Sequence, residues 1–223
     1  MTEIAVEPAR KTVADKPVWR GVTHQWAFVL SVLVGSLMIV SAPAGRASIA
    51  VAVYVGSVAA LFGCSAFYHR PNWQPATRAW LRRVDHSAIY ILIAGTYTPV
   101  AMLALPESEG QDLLRLAWLG AAVGIVKSMA WVHAPKPVSA ALYVLMGWLV
   151  LGKWTSVTAA VGPLGISLLL IGGACYTSGA VIYAKRKPDP WPKIFGYHEI
   201  FHVLVIVATL AHGAMVAGLV GKH

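Results

Sequence analysis

The chain has 223 residues, 57% hydrophobic and 12% charged, with 18 Lys and Arg against 9 Asp and Glu and a formal net charge of +9. Charged residues make up about a quarter of a typical soluble domain, so charge this sparse excludes a cytosolic enzyme, an ordinary binding module and a disordered chain. What remains is an all-α, polytopic membrane protein, in which excess Lys and Arg mark cytoplasmic loops rather than contact with nucleic acid.

Residues 1–21 are polar and mixed in charge, with no apolar stretch followed by a small-residue cleavage site, and read as a cytoplasmic tail without a signal peptide. About 20 apolar residues cross the hydrocarbon core as a helix. Runs of that kind predict seven spans, 22–41, 48–68, 85–105, 113–131, 138–151, 164–183 and 198–220, of which the fifth is short. Together they form one transmembrane domain, 22–220, with an outer tail at 221–223. Turn chemistry separates them: Pro43-Ala44-Gly45, Arg70-Pro71-Asn72, Pro106, Pro135-Lys136-Pro137, Gly162-Pro163 and Pro188-Asp189-Pro190-Trp191-Pro192. Cys64 and Cys175 lie within apolar runs and do not form a disulfide framework.

The basic residues segregate between alternate connections. The tail carries Arg10, Lys11, Lys16 and Arg20. The second connection carries Arg70, Arg78, Arg82 and Arg83, the fourth Lys136, and the sixth Lys185, Arg186, Lys187 and Lys193. The other side has Arg46, Arg115, Lys153 and Lys222, and Lys127 falls inside the fourth span. The positive-inside rule puts the richer side in the cytoplasm. The N-terminus is then cytoplasmic and, after seven crossings, the C-terminus lies outside.

An ionisable side chain inside a span costs about 2.5–3.5 kcal/mol unless it is paired, and so points to function. Ser65, His69, Asp85, His86, Lys127, His198, Glu199, His202 and His212 are the informative residues. His198 and His202 are spaced i,i+4, which puts both imidazoles on one helix face, a way for one helix to give two ligands to one metal. Ser65 and His69 repeat the spacing at the end of the second span. With the orientation above, His69, Asp85, His198 and His202 all lie at the cytoplasmic level. Three imidazoles and a fourth position open to water describe a catalytic zinc site, with Asp85 placed to hold the water or act as its base. Ser65, one turn deeper, is in reach of the water, Asp85 or a substrate carbonyl.

His198-Glu199-Ile200-Phe201-His202 also matches H-E-x-x-H, the zinc-protease pattern, with Glu199 as base and Asp85 as a third ligand. Intramembrane metalloproteases use a further acidic ligand on a later helix, and no span follows the seventh. Glu199 also suits the first turn of a helix through the helix dipole. His86, about 100° round the helix from Asp85, reads as an interfacial hydrogen-bonding residue. His212, about 15 Å deeper than His202, reads as an interior histidine outside the metal group. Lys127 pairs within the bundle, lines a cavity or snorkels. Thr96-Tyr97-Thr98-Pro99 reads as a proline kink whose freed carbonyls need polar partners.

Ser65-Ala66-Phe67-Tyr68-His69, then Asp85-His86-Ser87-Ala88-Ile89-Tyr90 continuing into Ala94-Gly95-Thr96-Tyr97-Thr98-Pro99, then His198-Glu199-Ile200-Phe201-His202 closely resemble the three signature segments of the hemolysin III family. That family is the bacterial branch of the progestin and adiponectin receptor (PAQR) family. The resemblance implies a seven-helix bundle with a cytoplasmic N-terminus and a zinc ion near the cytoplasmic face. It makes His69, His198 and His202 the zinc ligands, Asp85 the group that engages the zinc-bound water, and Ser65 its neighbour. It further implies lipid amide or ester hydrolysis of the ceramidase kind, membrane lipids as partners, a role in membrane-lipid homeostasis, and residence in the plasma (inner) membrane. A non-enzymatic sensor with structural zinc is the other reading. A haemolytic pore is disfavoured, because no amphipathic pore-forming segment is visible.

Overall fold

The computed structural model describes residues 16–131 and 133–222. Arg10 and Lys11 of the expected tail, and His223, lie outside the described residues. Among those described the structure is helical, with one isolated bridge between Trp191 and Phe195 and no strand. The helices are α1 (Val22–Ser41), α2 (Arg46–His69), α3 (Pro75–Pro99), α4 (Glu107–Ala130), α5 (Lys136–Gly147), α6 (Trp154–Lys185) and α7 (Tyr197–Val220). A π-helical turn, Val100–Ala104, extends α3, and a 3-10 turn, Leu149–Lys153, joins α5 to α6.

Among the described residues six stretches are long and apolar enough to cross a membrane, because α5 and α6 join into one 50-residue run, Lys136–Lys185. The expected fifth span therefore differs in form: α5 alone has 12 residues, about 18 Å of helix against roughly 30 Å of hydrocarbon. Tyr97 accounts for its early end. From α3 its hydroxyl donates to the carbonyls of Gly147 at 2.6 Å and Met146 at 3.0 Å, and accepts the Val150 amide at 3.3 Å. Groups that would otherwise continue the α-helical ladder are satisfied from outside it, and the chain tightens into the 3-10 turn. Further on, α6 is broken at Gly162, with φ 72° and ψ 177°, followed by Pro163. Positive φ is open to glycine, and proline has no N–H to continue the helix.

The structure also moves the start of the third span. α3 begins at Pro75, not at residue 85, with proline in its first turn. Arg78, Arg82 and Arg83, expected in a loop, stand on its first turns. Arg78 lies over the Tyr68 ring at 5.3 Å, which ties this charged extension to the end of α2. At the other end of α3, Pro99 leads into the π turn. The hydroxyls of Thr96 and Thr98 donate to the carbonyls of Leu92 and Ala94, and Trp118 donates to Thr98.

α3 packs in the middle of the bundle, between α2 and α4. Small residues allow the approach: Gly95 lies against Ser57 of α2, and Gly124 of α4 lies against the ring of Tyr90. α7 packs on α6 and touches α1, α2 and α3. α1 is the outermost helix, and its large apolar side chains face outward, Leu37 at 69% and Val40 at 84% exposed. Water would not tolerate that surface, and lipid covers it.

Candidate metal centre

Short connections bring three helix ends together. α2 ends at His69, a five-residue link leads into α3, and α7 starts at Tyr197, so that His198 and His202 occupy its first two turns. His198 Nε2 and His69 Nε2 are 3.1 Å apart. The ring centroids of His198 and His202 are 4.5 Å apart, and those of His69 and His202 5.2 Å apart. One ligand nitrogen from each of the three imidazoles falls within 4.8 Å of the others. His69 and His202 are buried and His198 is partly so. Asp85, also buried, places Oδ2 3.9 Å from His69 Nε2. It stands ten residues into α3 rather than at its start, because the helix begins early.

The chain before and at the start of α1 closes over this group, and it carries residues that sequence reasoning missed. His24 is 2% exposed and stacks on His202, with centroids 3.8 Å apart and planes 10° from parallel. Its Nδ1 is 2.8 Å from Ser65 Oγ, and its Nε2 is 3.3 Å from the His202 carbonyl. Like the other histidines, His24 is an ionisable group inside a span, where its burial needs a reason. Gly21, with φ 78°, lets the backbone pass His69, since a Cβ there would lie 2.7 Å from His69 Cβ. Lys16 donates to the carbonyls of His69 and Pro71. The Val18 and Trp19 amides donate to the carbonyls of Lys193 and Ile194.

Glu199, completely buried, is occupied elsewhere. Its Oε1 pairs with Arg20 Nε at 2.5 Å, and its Oε2 accepts the Gly196 amide at 2.9 Å. It thus serves the N-terminus of α7, with Asp189 accepting the next free amide, that of Tyr197. The other sequence candidates separate from the group. Lys127 donates to Ser139 across α4 and α5. His212 sets Nε2 3.2 Å from the Leu169 carbonyl. The His86 side chain lines a cavity, and its carbonyl accepts from Tyr143 at 3.4 Å. Cys64 and Cys175 are free thiols.

The donor set fits a metal ion. Two ligand nitrogens about 2.0–2.1 Å from one tetrahedral zinc lie about 3.3 Å from each other, and the His69 and His198 nitrogens are already at 3.1 Å. His202 Nδ1 is buried with no hydrogen-bond partner. A mostly apolar cavity extends from Asp85, Ser65, His198 and His202, past Leu92 and Val205, to His212. The arrangement can hold a cation at one end of a greasy chamber, with a carboxylate and a hydroxyl beside it.

A multi-pass helical membrane protein with a buried three-imidazole group is the class that fold and site define. The sequence model of the family described as Haemolysin-III related matches residues 13–213, and the chain belongs to that family. It is 34% identical over 188 residues to Hemolysin-3 of Bacillus cereus, covering 83% of each chain. It is 37% identical over 135 residues to the Hemolysin-3 homolog of Bacillus subtilis (strain 168), covering 60% of this chain and 61% of that one. To the heptahelical transmembrane protein ADIPOR2 of Oryza sativa subsp. japonica it is 32% identical over 174 residues, covering 76% of this chain and 62% of the plant protein. That likeness supports the tie to the progestin and adiponectin receptor family expected from the motifs.

Proposed function

We propose that this protein is a zinc-dependent hydrolase of a lipid amide or ester, working at cytoplasmic headgroup depth in the maintenance of membrane lipids. The observation that carries the reading is the convergence of His69, His198 and His202, with ligand nitrogens within 4.8 Å of one another, beside the buried carboxylate of Asp85. A zinc ion held by those imidazoles would lower the pKa of a water toward about 7 and polarise a scissile carbonyl. Asp85 Oδ2 would take a proton from the attacking water and return it to the leaving nitrogen or oxygen as the carbonyl–heteroatom bond breaks. Ser65 would hydrogen-bond at the reacting group. The apolar cavity would take the acyl chain and keep bulk water from the reaction.

In this reading Lys136–Lys185 turns at Gly162 and crosses twice. Residues 22–220 then form one seven-crossing domain with the N-terminus inside and the C-terminus outside. The occupied carboxylate of Glu199 supports this over a protease using Glu199 as base.

One observation favours a second reading. Asp85 is close enough to His69 that a modest side-chain shift would make it a fourth ligand, giving a closed structural site in a non-enzymatic sensor. Asp85→Asn separates the two. A hydrolase variant retains zinc and loses turnover by about a hundredfold or more, the weight of a general base; unchanged turnover removes Asp85 from the mechanism. Wild-type protein that holds zinc and releases no fatty acid from lipid amides or esters, followed by mass spectrometry, supports the sensor. Equal metal content in wild type and the His198→Ala/His202→Ala variant ends the zinc reading.

A further inference from the structure

Resting on the metal reading above, we propose that His24 is a positioning residue of the metal centre: it holds the His202 ring by face-to-face stacking and takes the Ser65 hydroxyl hydrogen, so that Ser65 presents a lone pair to the cavity. No signature segment contains His24, which comes from a different helix than the three ligands.

For a neutral ring, the contacts determine which nitrogen of His24 carries the hydrogen. The His202 carbonyl can only accept, so the 3.3 Å contact requires the hydrogen of a neutral His24 to be on Nε2. Nδ1 is then a bare acceptor, and the 2.8 Å contact requires Ser65 Oγ to be the donor. With its hydrogen committed, Ser65 has lone pairs left for the cavity it lines. It suits the O–H of a water or the N–H of a lipid amide, and it does not suit a substrate carbonyl oxygen. Asp85 is a second acceptor within reach of that hydrogen, which is assigned to His24 on the 2.8 Å contact. Within the lipid class, the arrangement favours amides over esters.

Stacking supplies the second half of the role. With His202 Nδ1 free for a metal ion, the ring plane still has to be held, a task usually given to a partner of the other ring nitrogen. The ring is held instead by the face of His24, within 10° of parallel, while His24 Nε2 reaches the His202 carbonyl.

The test uses purified full-length protein and three variants. His24→Phe keeps an aromatic ring and removes both hydrogen bonds. His24→Gln keeps polarity and removes the stack. Ser65→Ala leaves the stack alone. Zinc affinity is measured by chelator competition, and geometry from the visible spectrum of the cobalt-substituted protein. Expected is an affinity loss of about tenfold or more in His24→Gln, with a shifted cobalt spectrum, a smaller loss in His24→Phe, and near wild-type affinity in Ser65→Ala. The ¹⁵N spectrum of histidine-labelled, metal-free protein gives a readout without metal: a resonance lost in His24→Gln shows the Nε2–H form, and its Nδ1 shift moves in Ser65→Ala. Wild-type affinity and spectrum in both folded His24 variants overturn the proposal and leave the zinc reading standing. A wild-type protein that binds no zinc overturns both.

Discussion

At the scale of single residues, burial sorts the polar groups by what they are for. Glu199 has no exposure, and its charge is met by Arg20. Removing one partner of a buried ion pair costs about 3–5 kcal/mol, because the other charge is stranded. Arg20→Ala is therefore expected to lower the thermal stability of the detergent-solubilised protein strongly. Adding Glu199→Gln is expected to recover much of the loss, since an amide needs no counter-charge and still accepts the Gly196 amide. Stability that falls equally in the single and double variants would show that Arg20 acts through packing alone. Glu199→Gln by itself is expected to leave lipid turnover within a few-fold of wild type, whereas an H-E-x-x-H base would lose it. The clustered histidines His69, His198 and His202, with Ser65 and Asp85, were legible because their spacing and depth point to one another. His24 and Arg20 were not, because their partners lie 41 and 178 residues away for the one and 179 for the other. No periodicity within a helix encodes such pairings.

At the scale of elements, hydropathy locates a helix better than it locates the helix's ends. α1 begins and ends where the apolar run does, and α7 starts one residue earlier than expected. The first ten residues of α3 were hidden because Arg78, Arg82 and Arg83 break the apolar run, although Pro75 offers a helix start. The α5–α6 junction was hidden for another reason: a tyrosine on a different helix decides where α5 stops. The break inside α6 was visible as Gly162-Pro163. Its backbone tests whether that turn belongs to the fold. With φ 72° and ψ 177° at Gly162, a region open essentially only to glycine, Gly162→Ala is expected to cost about 1–3 kcal/mol from the backbone alone, seen as a lower melting temperature. Gly152→Ala, in the open and without positive φ, is the control and is expected to change little. Equal effects at both positions would mean that the turn at 162 is not held in the native protein.

At the scale of the whole molecule, the question is whether the two ends of the chain lie on one side of the membrane or on two. The Val18 and Trp19 amides bond the carbonyls of Lys193 and Ile194, so the N-terminal segment and the α6–α7 connection share one end of the bundle. From there α7 runs 24 residues, about 36 Å of helix and enough for one crossing. At its far end Lys222 bonds the carbonyl of Ala160, beside the break at Gly162. On the same far side Lys153 pairs with Asp112 near the start of α4. The first described residues and Lys222 lie at opposite ends of α7, the arrangement that the proposed seven crossings predict, whereas six crossings would return the chain to its starting side. In the proposed orientation, the basic surplus would put the end near His69 in the cytoplasm. Single cysteines at Lys193 and Lys222, in a background with Cys64 and Cys175 replaced by alanine, test this with an impermeant thiol reagent on intact cells. Labelling at 222 without labelling at 193 is expected, and permeabilisation should then expose 193. Labelling of both from the same side would mean an even number of crossings and separate the chain ends differently from this bundle. Labelling at 193 alone would keep the odd count and invert the orientation, moving the histidine group to the outer leaflet and its substrate with it.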